Sequence, residues 1–334
     1  MLLVVVLAVA GVVLAVVVVP RSSRAPAPPL PLRPVAEIAL PGDTSRFDYA
    51  SLDPRRGLLF VAHLGASEVV EVDVHAHRVL RTIPDVPGAH GVLVVPALHR
   101  VYATATAANE MITLDEDTGA VLNRAPTGDY PDGLAYDARR NAVWTTNESG
   151  GTETVIDAGS SAVRATVPLG GEVGNVVYDP ARDQMLVPVQ GRGDLAVIDP
   201  ATLTVTRRVT LPGCEHGHGL ALDPDSTLGF IGCEGNATLA TVDLGSGQVV
   251  STTPVGDTPD VLAYDAGAHR LYVAAEDGTV SVLDRTDGHV TLIGSGQLAT
   301  GAHVVAVDPT THYSYFPIPQ GSSGGPALLE ELPT

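Results

Sequence analysis

The stretch Gly128–Asp157, GDYPDGLAYDARRNAVWTTNESGGTETVID, reads as three short strands: one ending at Asp137, one carrying Trp144, and one ending at Asp157. The same text returns at Pro254–Asp284, PVGDTPDVLAYDAGAHRLYVAAEDGTVSVLD. Working outward, an apolar strand that ends in Asp recurs at Asp53, Asp137, Asp179, Asp223, Asp265 and Asp308, with Val95 in the corresponding slot of a further copy. Successive markers stand 42, 42, 42, 44, 42 and 43 residues apart. Short alternating strands with a period in the low forties, separated by Gly, Pro and Asp, match one four-stranded propeller blade. Seven such units account for the chain after its amino-terminal region.

Other positions repeat in step. Seven residues past each marker stand Phe60, Tyr102, Trp144, Leu186, Phe230, Tyr272 and Tyr315, which the repeat places in the core of a second strand. Third strands end in Asp73, Asp115, Asp157, Asp199, Asp243 and Asp284, where Asx-type turns are expected. At least twelve acidic residues are thereby read as turn formers. The seventh unit runs out after a third strand near Ala327–Leu332, while VAEIALPG at Val35–Gly42 resembles the fourth-strand text TRRVTLPG at Thr206–Gly213. The reading is therefore all-β: a seven-bladed propeller, residues 35–334, closed by an amino-terminal strand that completes the last blade and leaves no open sheet edge. Blade two lacks the marker Asp and blade four carries Pro188 in its second strand, so local departures are expected there.

On these residues, with VWTTN at Val143–Asn147 in the diagnostic slot, the chain resembles the YVTN-repeat β-propellers, of which the bacterial YncE-like proteins are a branch. The resemblance covers Val35 to about Pro319. It implies the fold and leaves activity open, since one fold hosts many functions.

Leu2–Val19 is an uncharged apolar run ended by Pro20, long enough for a signal segment or a membrane anchor, read here as residues 1–20. A Pro-rich linker follows at 21–34. The only cysteines, Cys214 and Cys233, fall at the two ends of the blade-five hairpin, where antiparallel pairing brings them together as a disulfide. These features predict an extracytoplasmic protein of the cell envelope, anchored or secreted.

The chain has 334 residues, 45% of them apolar, and a formal net charge of −19, with 38 acidic residues against 19 basic ones that are all Arg. Without lysine no Schiff base can form, and so acidic a surface repels a phosphate backbone, so nucleic acid is not an expected partner. No P-loop, HExxH or CxxC occurs.

In a propeller the innermost strands converge on one mouth of the channel. Five residues before each marker slot stand Asp48, His90, Asp132, Gly174, His218, Asp260 and His303. Three histidines and three carboxylates from different blades point to one divalent transition metal on His90, His218 and His303, with an aspartate as general base, or to a cationic ligand. A polar plug, each His paired to a neighbouring Asp, suits the same pattern. His63, Asn147, Glu148, Gln190, Glu234 and Glu276 end second strands and, with His216 of the blade-five entry loop, are expected to surround the ring. The leading expectation is a binding or scaffolding module whose partner is a small molecule or an envelope protein. A metal-dependent hydrolase or lyase is the alternative.

Overall fold

The computed structural model describes residues 27–286 and 288–334. The apolar run and the first six residues of the Pro-rich linker, 21–26, lie outside the described residues. Among the described residues, no helix is long and apolar enough to cross a membrane.

Seven four-stranded antiparallel sheets form the ring. Blade one runs Ala50–Asp53, Leu58–His63, Glu68–Asp73 and Arg78–Ile83, and the next five blades repeat this order from the axis outward. The seventh takes Ala306–Val307, Ser314–Ile318 and Ala327–Pro333 from the carboxyl-terminal region, and its outer strand is Leu32–Ala39. Leu32 pairs with Pro333 and Ala39 with Ala327, so the closing strand is the amino-terminal one. It begins three residues earlier than its resemblance to Thr206–Gly213 suggests. Before it, the Pro28 carbonyl accepts from Ser295 N at 2.9 Å, and Leu30 and Leu32 pack into the core between blades six and seven.

Each of the seven contacts between neighbouring blades encloses its own apolar cluster. The repeated large residue of the second strand supplies much of each: Phe60, Tyr102, Trp144, Leu186, Phe230, Tyr272 and Tyr315 are all buried. Deleting one such side chain costs about 3–5 kcal/mol in a close-packed core.

The turn reading holds in detail. Every marker Asp is buried and its Oδ1 accepts a backbone N–H two or three residues on, as Asp137 does from Arg139 N at 3.0 Å. Among the third-strand aspartates, Asp73, Asp115, Asp157, Asp199 and Asp243 do the same. Asp284 is the exception: its strand runs on to Thr286, and its carboxylate binds Arg270 Nε at 2.9 Å instead. Pro188 keeps its place in the ladder opposite Leu195, while the inner strand of blade four shortens to Val177–Asp179. In blade two, a short 3-10 turn at Pro96–Leu98 with His99 left-handed replaces the missing Asp turn.

Candidate functional site

The seven equivalent positions do converge on one mouth, and Asp48, His90, Asp132, His218, Asp260 and His303 are all buried there. Backbone crowding explains the seventh. A Cβ on Gly174 would stand 2.5 Å from the His218 carbonyl oxygen, so blade four contributes no side chain to the ring. Asn175 follows it, and its Nδ2 donates to the Tyr49 hydroxyl.

Starting from Asp48, charges alternate round the mouth. His90 Nε2 lies 3.1 Å from Asp48 Oδ2 and 3.5 Å from Asp132 Oδ1. His218 Nε2 lies 3.7 Å from Asp132 Oδ2 and 3.6 Å from Asp260 Oδ1. The residue that closes the circuit is Arg46, whose Nε is 2.8 Å from Asp48 Oδ2 and whose Nη2 is 3.3 Å from Asp260 Oδ2. Its Nη1 also meets Glu276 Oε1 at 2.5 Å. His303 stands aside from the alternation: Nε2 donates to the Phe47 carbonyl at 3.0 Å, leaving Nδ1 buried and unpartnered, 3.7 Å from Glu276 Oε2.

Arg46 has no counterpart in the other blades. It lies two residues before the ring position, a slot that a strand's two-residue period aims to the same side. The same slot in blades two, three, five, six and seven holds Gly88, Tyr130, His216, Thr258 and Gly301, all with left-handed backbone, φ between +50° and +76°. Arg46 is not left-handed, and its side chain turns into the mouth.

Proton affinities follow the charges. For His90 burial opposes charge, but Asp132 and Asp48 overcome it and push the imidazole up to about 10. For His218 the same contest, with Glu234, Asp260 and Asp132 on the charged side, ends at about 9. Gln190 Nε2 lies 2.8 Å from His218 Nδ1 and 3.3 Å from the Val173 carbonyl, so a second proton on His218 requires the amide to turn its oxygen inward. Burial and Arg46 hold His303 below the usual histidine range. Of the aspartates that share Arg46, Asp260 is driven up by burial and by Asp48; Asp48 goes down despite its burial, through His90 and Arg46.

Above the ring a cavity of about 360 Å³ opens to solvent, lined by Arg46, Leu64, His90, Tyr130, Glu148, His218, Glu234, Asp260 and Glu276. Burial and Asp132 push Glu148 up to about 7, and burial raises Glu234 as well. Of the residues expected to surround the ring, Glu148, Gln190, Glu234 and Glu276 therefore do so. His63 does not: it is buried against Phe47, ring centroids 4.1 Å apart, and faces Asp43, Ser45 and Glu68. Asn147 ties its own loop, accepting from Gly128 N and donating to Thr152 and Thr154. His216 is exposed on the rim. Below the ring the channel continues as a space of about 350 Å³ lined largely by apolar residues such as Leu52, Leu93, Leu134, Val177 and Leu220.

Cys214 and Cys233 form a disulfide with Cα atoms 5.2 Å apart, buried in the core between blades four and five. A bond of this kind marks an oxidising environment. The sequence GSSGG at Gly321–Gly325 matches a serine-nucleophile pattern by its letters, but it is a surface turn in which Ser322 binds Glu37 Oε1. No strand-to-helix elbow holds it.

The chain is thus a seven-bladed β-propeller with a charged ring at one mouth. Hydrazine synthase of Kuenenia stuttgartiensis is similar to it in structure, with a TM-score of 0.73 over 83% of this chain and 94% of that one, at 14% sequence identity. A likeness at that identity establishes the fold. No family model matches the chain, and no curated protein matches its sequence.

Proposed function

We propose that the chain is an extracytoplasmic β-propeller of the YVTN-repeat type, tethered by its amino-terminal apolar segment, that binds a small cationic ligand at the pore mouth without turning it over. One observation carries this: two glutamates that face no cation of their own, Glu148 and Glu234, line a cavity above a ring whose aspartates, like Glu276, already face theirs. That negative charge is in excess and open to solvent, and Tyr130 and Leu64 add an aromatic and an apolar wall. The recognised chemistry is an alkylammonium or guanidinium group, carried by a free amine or by a Lys or Arg side chain of an envelope protein. The repeat text supports the family, and the disulfide supports the compartment.

Calorimetric titration with 1,4-diaminobutane, a guanidinoalkane and a short Lys/Arg peptide tests the reading. Binding that weakens steeply with salt and is lost in the Glu148→Gln/Glu234→Gln double variant is expected. Absence of binding to all three probes, or turnover of a simple ester, lactone or peptide panel, overturns it. A second reading, a metal-dependent hydrolase or lyase, is favoured by three His–carboxylate groupings in the mouth whose candidate donor atoms lie within 4.8 Å of one another. Turnover that requires added metal is its test.

A further inference from the structure

The three groupings are Asp48/His90/Asp132, His218/Glu234/Asp260 and Asp260/Glu276/His303. Their hydrogen bonds separate them. In the second, Gln190 donates to His218 Nδ1, which puts the proton of a neutral ring on Nε2, the atom that faces the carboxylates. In the third, His303 Nδ1 is free, but Asp260 and Glu276 are both held by the Arg46 guanidinium. The first differs from both in degree: Arg46 holds only Asp48 Oδ2, while Asp48 Oδ1 and both oxygens of Asp132 are left without a hydrogen-bond donor. Thr106 Oγ1 gives its proton to the Pro131 carbonyl at 2.6 Å, so at 3.2 Å from His90 Nδ1 it accepts. Nδ1 therefore keeps its proton, and Nε2, whose proton a metal ion would displace, faces Asp48 and Asp132.

We propose that Asp48, His90 and Asp132 bind one divalent transition-metal ion, with Thr106 orienting the imidazole. Asp132 is fully buried and neither of its oxygens accepts a hydrogen bond; Asp48 Oδ1 is likewise buried without a partner. One imidazole nitrogen and two carboxylates suit zinc, manganese or ferrous iron. Ligands about 2.1 Å from one ion stand roughly 3–3.5 Å apart, and His90 Nε2 lies 3.1 and 3.5 Å from the two carboxylate oxygens. A hydroxyl that accepts from the remote ring nitrogen is the outer support that metal-bound histidines have. The site deepens the metal reading of the mouth, yet it stands whether or not the protein catalyses anything, and it uses none of the glutamates assigned to the amine.

The test is metal content by mass spectrometry, with calorimetry, on the full chain loaded separately with zinc and manganese. About one ion per chain is expected. His90→Gln and Asp132→Asn lose it, Thr106→Val weakens binding roughly 10- to 100-fold, and His303→Gln keeps it. Melting curves establish which variants fold, and if His90→Gln fails to fold, Asp132→Asn and Thr106→Val carry the result. No bound ion in the parent chain overturns the site. So does an ion kept by folded His90→Gln or Asp132→Asn, unweakened by Thr106→Val, or lost equally from His303→Gln. Diaminobutane binding measured on the same proteins separates the two readings: a parent chain that binds the amine and no metal overturns the metal site alone, and one that binds metal and no amine overturns the amine reading alone.

Discussion

Arg46 Nη2 lies 3.3 Å from Asp260 Oδ2, a contact between the loop that enters blade one and the inner strand of blade six. With its bond to Asp48, it spans the position where His303 would otherwise have continued the alternation of charge. Arg46→Gln leaves Asp48 and Asp260 without their shared cation. The expected cost is about 1–3 kcal/mol at neutral pH, the usual penalty for orphaning a buried partner. Melting temperatures measured with and without methylguanidinium check it: the free guanidinium should restore part of the loss, and a variant as stable as the parent would remove Arg46 from the ring's balance.

Glu148 makes amine binding depend on pH. Its carboxyl is pushed up to about 7, by burial first and then by Asp132, so it is largely neutral at pH 6 and largely charged at pH 8. Affinity for diaminobutane should rise over that interval, by roughly tenfold if one contact of about 1.4 kcal/mol is gained. The slope should flatten in Glu148→Gln. Titrations at both pH values give the answer directly.

Glu153 is a buried carboxyl with neither oxygen hydrogen-bonded, on the third strand of blade three. Burial, and then Asp132, hold it well above the usual carboxylate range, so it is kept as the neutral acid in the fold. The unfolded chain ionises it near the ordinary glutamate value of about 4.3. Its contribution is therefore fully present below that pH and is lost as pH rises toward the folded value. Glu153→Gln should leave the melting temperature nearly unchanged at pH 4 and raise it at pH 8, by about 2–4 °C for each kcal/mol recovered. Equal effects at both pH values would contradict a neutral Glu153.

The Cys214–Cys233 bond closes a loop of 19 residues in the blade that carries His218. Replacing both cysteines with alanine should destabilise the protein by about 3 kcal/mol. Amide exchange should speed up first across Leu211–His218, where the Cys214 N–H bonds to the Leu211 carbonyl at 3.1 Å. Uniform loosening of all seven blades would argue against a local role.

The fold was readable because it repeats: a buried aromatic or leucine recurs in all seven blades, a marker Asp seven residues before it in six, and an Asp at the end of the third strand in six. Ring positions followed from the same register. What repetition hides is whatever breaks it. Arg46, Tyr130 and His216 share one slot, yet only Arg46 closes the charge circuit, because its backbone avoids the left-handed turn of the other two. His63 and Asn147 are the last residues of their second strands, one position before the slot that holds Glu148, Gln190, Glu234 and Glu276, and a step of one residue turns a side chain to the other face. Phe47 takes His63 by stacking, and Thr154 takes Asn147 by hydrogen bonding, neither of which has a counterpart at the same repeat position.

The pairing of Leu32–Ala39 with Ala327–Pro333 also sets the order in which the molecule can be made. A nascent chain presents the first of these strands nearly three hundred residues before its partner exists. Six blades can form from local hairpins as they emerge, while the seventh must wait for the last residues, the slow kind of contact in any folding reaction. Until that moment the ring is an open arc with two unpaired ends, and a ligand that needs blades six, seven and one together has nowhere to bind.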